Sequence, residues 1–175
     1  MNTVSDSTLQ EAERAWNFYD WAQKGNPDEY EGDINKAKEW EFEFTENELE
    51  IAGIYDDYDL RIIVERKDTE DGTVEVINYE TKTILNRIDV TEKIKKPEVD
   101  LVGNKLLFSN LGLNKIEMIK FNEEFILAQL GAEKIGQDRR DFRDTVIGWQ
   151  VIYIRIPKDV EVIAKQPYVD FVVAE

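Results

Sequence analysis

The chain has 175 residues, of which 38 are acidic and 22 basic, and its net charge is −16 at pH 7. A charge of this size opposes binding to nucleic acid or to an anionic membrane through a basic face. Because the chain contains no histidine and no cysteine, it excludes disulfides, His-based catalytic triads and zinc sites with imidazole or thiolate ligands. Aromatic residues make up 11% of the chain, which predicts a folded domain rather than a disordered acidic tail.

The location of the protein is predicted from what the sequence lacks. No apolar run approaches the roughly 20 residues that span a bilayer. The segment from Met1 to Leu9 has neither the basic nor the apolar region of a secretion signal. We therefore expect a protein that is not secreted by a signal peptide and that resides in the cytoplasm or in a virion.

The negative charge is concentrated in the first third of the chain. Met1 to Asp59 contain 17 acidic and 4 basic residues, whereas Leu60 to Glu175 contain 21 and 18. This first third is also rich in aromatic residues. Two interpretations stay open: a solvated acidic face over an aromatic core, or a recognition surface for a basic partner. The aromatic residues are Trp16, Phe18, Tyr19, Trp21, Tyr30, Trp40, Phe42, Phe44, Tyr55 and Tyr58.

The first predicted element is an amphipathic helix over residues 8–23. Ser7 with Gln10, or Thr8 with Glu11, is a candidate capping box at its start, and Gly25 with Pro27 ends it. An acidic connector over 26–38 follows. The residues predicted to line one helix face, at helical spacing, are Leu9, Ala12, Trp16 and Tyr19.

Strand patterns dominate the rest of the chain. Residues 39–44 alternate between glutamate and aromatic side chains, which is typical of a strand with one buried face. Residues 146–156 are apolar on both faces and predict a strand that is central or buried at an interface, with Ile152, Ile154 and Ile156 on one side. Asp71-Gly72 and Gly103-Asn104 are hairpin signals. Further strands are predicted over 48–55, 58–65, 73–79, 83–90, 100–102, 105–108, 160–163 and 168–173.

These elements predict a single domain over residues 1–175, with a β-rich body from residue 39 onward. The fold class is α+β: a mainly antiparallel sandwich or barrel-like sheet, the N-terminal amphipathic helix and one further short helix. That second helix is placed at Glu123 to Leu130, whereas residues 114–122 fit either a helix or a strand.

Two acidic groups and one basic group are the candidate partner-binding residues. Glu39, Glu41 and Glu43 project from one strand face at intervals of about 7 Å. Asp56, Asp57 and Asp59 form a charged turn that could also offer oxygen ligands to Mg²⁺ or Ca²⁺. Arg139, Arg140 and Arg143 surround Phe142 between aspartates, a combination that suits docking on an acidic protein surface better than on phosphates. No cofactor, metal site or catalytic residue is predicted.

Three functions fit this sequence. The first is a non-enzymatic protein-interaction subunit of a multi-subunit assembly, such as a connector, tail or capsid-associated protein of a phage virion, whose partners are copies of itself or other subunits. The second is an acidic DNA mimic, inhibitor or immunity protein that blocks a basic nucleic-acid-binding enzyme. The third is a carboxylate- or Mg-dependent hydrolase, which requires a pocket with perturbed acids.

Overall fold

The computed structural model describes residues 3–52, 60–109, 144–164 and 169–172. Three 3₁₀ turns join the regular elements, at Ala15–Asn17, Pro27–Glu29 and Thr91–Lys93. The regular elements are α1 (Asp6–Arg14), α2 (Phe18–Ala22), β1 (Ile34–Glu43), β2 (Glu48–Ala52), β3 (Leu60–Arg66), β4 (Thr73–Thr81), β5 (Ile84–Leu85), β6 (Ile88–Asp89), β7 (Glu98–Val102), β8 (Lys105–Ser109), β9 (Gln150–Ile156), β10 (Glu161–Ala164) and β11 (Val169–Phe171).

The N-terminal helical segment starts earlier than its sequence indicates. Ser5 is the N-cap, and its Oγ accepts a hydrogen bond from the Thr8 backbone N–H at 3.2 Å. The predicted capping boxes at Ser7 and Thr8 are therefore wrong, because the serine two residues upstream takes the cap. The 3₁₀ turn at Ala15–Asn17 interrupts the predicted continuous helix.

This 3₁₀ turn changes which side chains the helical segment buries. A 3₁₀ turn has three residues per turn, so the buried positions continue at a spacing of three instead of moving to i+4. Trp16 was predicted on the buried face, but it is 68% exposed. The buried residues are Leu9, Ala12, Ala15, Phe18 and Ala22.

The strands form two larger sheets and one small hairpin. A five-stranded sheet has the order β1-β4-β9-β3-β11, and a four-stranded sheet has the order β10-β2-β8-β7. β5 and β6 pair with each other, and Ile84 of β5 also forms an antiparallel bridge with Val146. This arrangement confirms the β-rich α+β class and corresponds to the sandwich, since the described strands form open sheets with free edges.

β9 is the central strand of the five-stranded sheet, as its sequence predicted. It pairs antiparallel with β4 and parallel with β3. Because β9 lies between β3 and β4, the Asp71-Gly72 turn does not join paired strands, and the predicted hairpin at that turn is wrong. The Gly103-Asn104 hairpin between β7 and β8 is confirmed. Among the described strands, four of the eight pairings are parallel.

The two sheets pack face to face through aliphatic side chains. Ile152, Ile154 and Ile156 of β9 point toward the four-stranded sheet, while Val151 and Tyr153 point to the opposite side. Trp40 and Phe42 close the edge of this core along β1. The buried residues of this inner core also include Leu49, Ile51, Ile62, Val64, Val74, Val76, Leu106 and Phe108.

The helical segment covers the other face of the five-stranded sheet. Phe18 and Ala22 pack against Tyr79, Val151 and Tyr153. The Phe18 and Tyr79 ring centroids lie 5.3 Å apart. The chain therefore has three layers: the helical layer (residues 3–33), the five-stranded sheet and the four-stranded sheet.

The segment over 83–90 is a tight hairpin and not the single strand that its sequence predicted. Asn86 and Arg87 both have positive φ, at 50° and 64°, so the chain reverses between β5 and β6. The Arg87 guanidinium then forms ion pairs with Asp6 and Asp144. In the part of the chain described here, no helix has the length and apolar character needed to cross a bilayer.

Candidate functional site

An open cleft on the helical layer brings together three aromatic side chains and two carboxylates. We call it the aromatic–acidic cleft and define it by Trp16, Trp21, Tyr30, Glu29 and Glu31. Its volume is about 830 Å³, and Arg14, Asn17 and Gly32 complete its lining. Exposed tryptophans are unusual on a protein surface that contacts only water, and Trp and Tyr are enriched at the centres of protein interfaces.

Tyr30 is fixed in the cleft by hydrogen bonds and by packing. Its Oη donates to Asn17 Oδ1 at 2.6 Å. Its ring centroid lies 5.3 Å from that of Phe18 and 6.0 Å from that of Trp21. Burial raises the pKa of the Tyr30 phenol above its ordinary value, which itself lies well above neutral pH, so the hydroxyl is protonated in either case. The ring is therefore presented in one orientation.

The two tryptophans are anchored to different extents. Trp21 is 38% exposed, and its Nε1 donates to the Asn26 carbonyl oxygen at 2.9 Å. The Lys24 Nζ lies 6.0 Å from the centroid of the Trp21 ring. Trp16, on the 3₁₀ turn, makes no such bond to any other residue that the structure describes, and it is the more exposed of the two at 68%. One ring is held in place and the other extends into solvent.

Glu29 and Glu31 belong to a helical layer that is rich in carboxylates, and few of these have a countercharge among the described residues. Three acids of the helical layer are paired: Asp6 with Arg87, Asp28 with Lys36 at 2.9 Å and Asp33 with Lys82 at 2.7 Å. The others have no ion-pair partner among the described residues, and all of them are exposed. They are Glu11, Glu13, Asp20, Glu29 and Glu31.

The glutamate row of β1 extends this negative surface. Glu39, Glu41 and Glu43 are all exposed, and they alternate with Trp40 and Phe42, which face the inner core. The three glutamates therefore lie on the same side of the five-stranded sheet as the helical layer. Glu39 has a Lys36 ammonium at 3.8 Å, and Glu41 is opposite Glu75 of β4.

The remaining predicted binding residues lie outside the described residues. These are Asp56, Asp57 and Asp59 in the charged turn and Arg139, Arg140, Phe142 and Arg143 in the arginine cluster. The helix predicted at 123–130 and the ambiguous segment 114–122 also lie there. Of the predicted interface, the structure therefore describes only the glutamate row Glu39, Glu41 and Glu43.

A network of ion pairs that the sequence analysis missed crosses β3, β9 and β4 on the outer face of the sheet. Arg155 Nε contacts Glu65 at 2.8 Å, and its Nη1 contacts Glu75 at 3.2 Å. Lys67 has a side chain that is only 5% exposed and bonds Glu75 at 3.1 Å and Asp71 at 2.8 Å. The one signal in the sequence was the placement of charged residues between apolar ones in these strands.

A small cavity of about 160 Å³ lies beside this network, between the sheet and the turn after α2. The Tyr79 Oη donates to Asp28 Oδ1 at 2.5 Å inside it. Burial raises the pKa of Tyr79, and the bond to Asp28 raises it further. Burial opposes ionisation of Asp28, but the hydrogen bonds from Tyr79 and Lys36 outweigh it, so the Asp28 pKa lies below its usual value. This pair holds its proton on the tyrosine at neutral pH.

A hydrolytic carboxylate pair needs one acid whose pKa is raised toward neutrality. The Asp28 pKa is lowered, and hydrogen bonds from Lys67 and the Thr73 backbone lower that of Asp71 as well. Among the described residues, no group of three or more Asp and Glu side chains is arranged to hold a metal ion. The hydrolase hypothesis gains no support from these groups and stays untested.

Comparison of the chain with protein-family models, with curated proteins and with solved structures found no match. The surface chemistry of the molecule is therefore what points to a function. The aromatic–acidic cleft is the surface feature that suits recognition best, because it combines exposed aromatic rings with the carboxylates of Glu29 and Glu31.

Proposed function

We propose that this protein is a non-enzymatic interaction subunit that docks basic surfaces of other protein chains through its helical layer. The observation that carries this proposal is the aromatic–acidic cleft, where Trp16 is 68% exposed beside exposed glutamates. When a partner covers an exposed tryptophan, the complex is stabilised by about 25 cal/mol for each Å² of apolar surface that leaves water.

The charge of the helical layer determines which kind of partner can dock on it. The exposed acids of the helical layer without countercharge attract a positively charged partner and repel polyanions and other acidic proteins. The long edge strand β1 is a poor site for strand pairing with another chain, because its exposed side chains include Lys36, Glu39, Glu41 and Glu43. The interaction we propose is therefore made by side chains of the helical layer.

The hypothesis that this chain is a subunit of an assembly is based on two groups of opposite charge in one chain. An acidic cleft on one copy and the arginine cluster at 139–143 on another can form a head-to-tail contact, which closes into a ring or extends into a tube. A structural subunit of a multi-subunit particle, such as a phage virion component, requires this kind of contact. The arginine cluster enters this argument by its sequence alone.

Native mass spectrometry and sedimentation velocity at several protein concentrations test this proposal. We expect species larger than a monomer, and we expect Trp16→Ala to shift the distribution toward monomer. Phe171→Ala is the matched control, because Phe171 is also an exposed aromatic residue, 51% exposed, but lies on the edge strand β11 and is not among the residues that line the cleft. A chain that stays monomeric at every concentration, and that occurs in no larger complex in its source material, contradicts the assembly reading.

The acidic-inhibitor reading is the second candidate, and the unpaired carboxylates are the observation that favours it. Glu11, Glu13, Asp20, Glu29 and Glu31 form a polyanionic surface that resembles nucleic acid in charge. A basic nucleic-acid enzyme that bound this surface would release counterions, so its affinity would fall steeply with salt. We expect a one-to-one complex in that case, and its affinity should be nearly independent of the triple variant Arg139→Glu, Arg140→Glu and Arg143→Glu.

A further inference from the structure

The three aromatic residues of the cleft form a surface suited to an organic cation. Trp21 and Tyr30 are inclined to each other by 60° with centroids 6.0 Å apart, and Trp16 lines the same cleft. Aromatic faces attract cations through their quadrupole, with Trp the strongest, and the attraction grows when the site is partly shielded from water. A set of non-parallel rings offers a cation more than one face.

The carboxylates of the cleft add a second form of recognition. Glu29 and Glu31 line it and have no ion-pair partner among the described residues. A carboxylate accepts two hydrogen bonds side by side, which matches the planar fork of a guanidinium. The ammonium group of lysine is a compact and strongly hydrated point charge that lacks this planar match.

We propose that the aromatic–acidic cleft binds the guanidinium group of an arginine side chain, with the rings of Trp16, Trp21 and Tyr30 against its faces and Glu29 and Glu31 at its edge. This inference rests on the proposed function, because it names the group by which the cleft selects a basic partner. Arginine is preferred to lysine because one planar group satisfies both the rings and the carboxylates.

Two cations of the chain itself lie at the cleft and compete with a bound arginine. Arg14 is part of the lining, and Lys24 occupies a position 6.0 Å from the Trp21 ring centroid. Replacing Arg14 with Gln removes a positive charge that repels the ligand. Arg14→Gln is therefore expected to tighten binding of the arginine side chain. The same substitution would not tighten binding at a cleft that does not prefer cations.

Gly32 keeps the Tyr30 ring in position for this ligand. A Cβ atom at position 32 would lie 2.1 Å from Cε1 of Tyr30, far inside van der Waals contact. Gly32→Ala must therefore move the Tyr30 ring while leaving all three aromatic residues in the chain. Gly32 is a positioning residue, and its replacement should weaken the cleft without changing its composition.

The test uses the full chain and three small probes in two-dimensional ¹H–¹⁵N NMR. N-acetylarginine amide carries the guanidinium, N-acetylcitrulline amide is its neutral isostere, and α-N-acetyllysine amide carries an ammonium. The chain has four tryptophans, so the indole N–H signals of Trp40 and Trp149 serve as internal controls for those of Trp16 and Trp21. Because the method detects millimolar binding, single residues suffice as probes.

We expect the arginine probe to shift the Trp16 and Trp21 signals saturably, the lysine probe to bind more weakly and the citrulline probe to cause no saturable shift. Trp16→Ala should weaken binding about two- to fivefold, as the loss of one exposed cation–π contact implies. Glu29→Gln combined with Glu31→Gln should weaken it and reduce its salt dependence, and Phe171→Ala should leave it unchanged.

Three results overturn the inference. Equal shifts with the arginine and citrulline probes mean that the cleft does not distinguish a charged ligand from a neutral one. Binding of the lysine probe that is at least as tight as binding of the arginine probe contradicts the guanidinium assignment. No saturable shift with any probe removes the cation site altogether. These results can be distinguished from a failure of the assembly proposal. A chain that assembles through another part of the helical layer would still form species larger than a monomer, although its cleft would not bind the arginine probe.

Discussion

The two faces of the five-stranded sheet are covered in different ways. The inner face carries aliphatic side chains such as Ile152, Ile154 and Val76, which are fully buried against the four-stranded sheet. The outer face carries tyrosines and ion pairs, including Tyr79, Tyr153 and Arg155, beneath a helical layer whose own outer surface exposes tryptophan. The inner face is packed with apolar side chains, whereas the outer face combines aromatic packing with ion pairs such as Arg155 with Glu65.

This difference separates stability from recognition. Close packing makes the inner interface sensitive to each methyl group that is removed. The helical layer buries few large residues, mainly Phe18 and Leu9, and presents most of its charged residues to water. We therefore expect changes on the inner face to alter the free energy of unfolding and changes on the helical surface to alter binding alone.

The largest effect is expected from Ile154→Ala on the inner face. Ile154 is fully buried in the central strand, so the substitution leaves a cavity between the sheets. We expect the free energy of unfolding to fall by about 2–5 kcal/mol, measured by urea denaturation. Ile63→Ala, a similarly buried change on the outer face, is the matched comparison, and a larger loss at Ile63 would contradict the assignment of the main core to the inner face.

The next effect has the opposite sign and concerns a polar residue on the inner face. Asn78 is completely buried, and neither its Oδ1 nor its Nδ2 has a hydrogen-bond partner within the described parts of the chain. Asn78→Val should raise the free energy of unfolding by about 1–3 kcal/mol, because it removes the cost of burying an unpaired amide. A loss of stability in the same denaturation experiment would show that the amide is satisfied by a bound water or another group.

A smaller loss is expected from Tyr79→Phe on the outer face. This change removes the hydrogen bond to Asp28 and should cost about 1 kcal/mol at pH 7. Since that bond helps to lower the Asp28 pKa, the variant should also depend less on pH. Asp28→Asn in the wild-type background should reduce the pH dependence in the same way.

The direction of this pH dependence follows from the lowered pKa values of Asp28 and Asp71. A carboxyl group whose pKa is lower in the folded state contributes stability that is complete above its unfolded pKa of about 3.9. That contribution is lost as the pH falls through the folded pKa. Urea denaturation at pH 7, 5 and 3 should show the decrease mainly below pH 4, and a decrease confined to pH 5–7 would contradict it.

The smallest effect on stability is expected from Trp16→Ala. Because Trp16 is 68% exposed, its removal should change the free energy of unfolding by no more than about 0.5 kcal/mol. The same variant should show weaker self-association and weaker arginine binding. A large loss of stability would place Trp16 in the core of the protein and would remove the contrast between the two faces.

Much of the architecture was predictable from local pattern. The run from Val146 to Ile156 predicted the central strand because both of its faces are apolar, and the structure confirms β9 in the middle of the sheet. The alternation over 39–44 predicted which side chains face the core, and the Gly103-Asn104 turn predicted the β7–β8 hairpin. In each case the signal lies within a few residues and reports burial or turn geometry directly.

The candidate site was only partly visible in the sequence. The excess of acids and aromatics before Asp59 indicated a recognition surface, but it did not separate Trp16 from the buried residues Ala15 and Phe18. The choice depended on the 3₁₀ turn, which the sequence pattern did not reveal. The Arg155 network was also missed, because its partners Glu65 and Glu75 belong to different strands.

The sequence by itself determined the charge of the molecule, the absence of His and Cys chemistry, the β-rich class and the inward or outward direction of side chains along β1 and β9. Tertiary structure alone decided that β9 inserts between β3 and β4, that parallel pairings join distant segments and that Tyr30 meets Trp21 over a shared cleft. The reason is physical. Side chains along a strand point alternately to the two faces of the sheet, so neighbouring residues in the sequence are enough to predict which face each one takes. Strand order and the shape of the cleft depend on contacts between separate segments of the chain, and these contacts form only when the layers pack together.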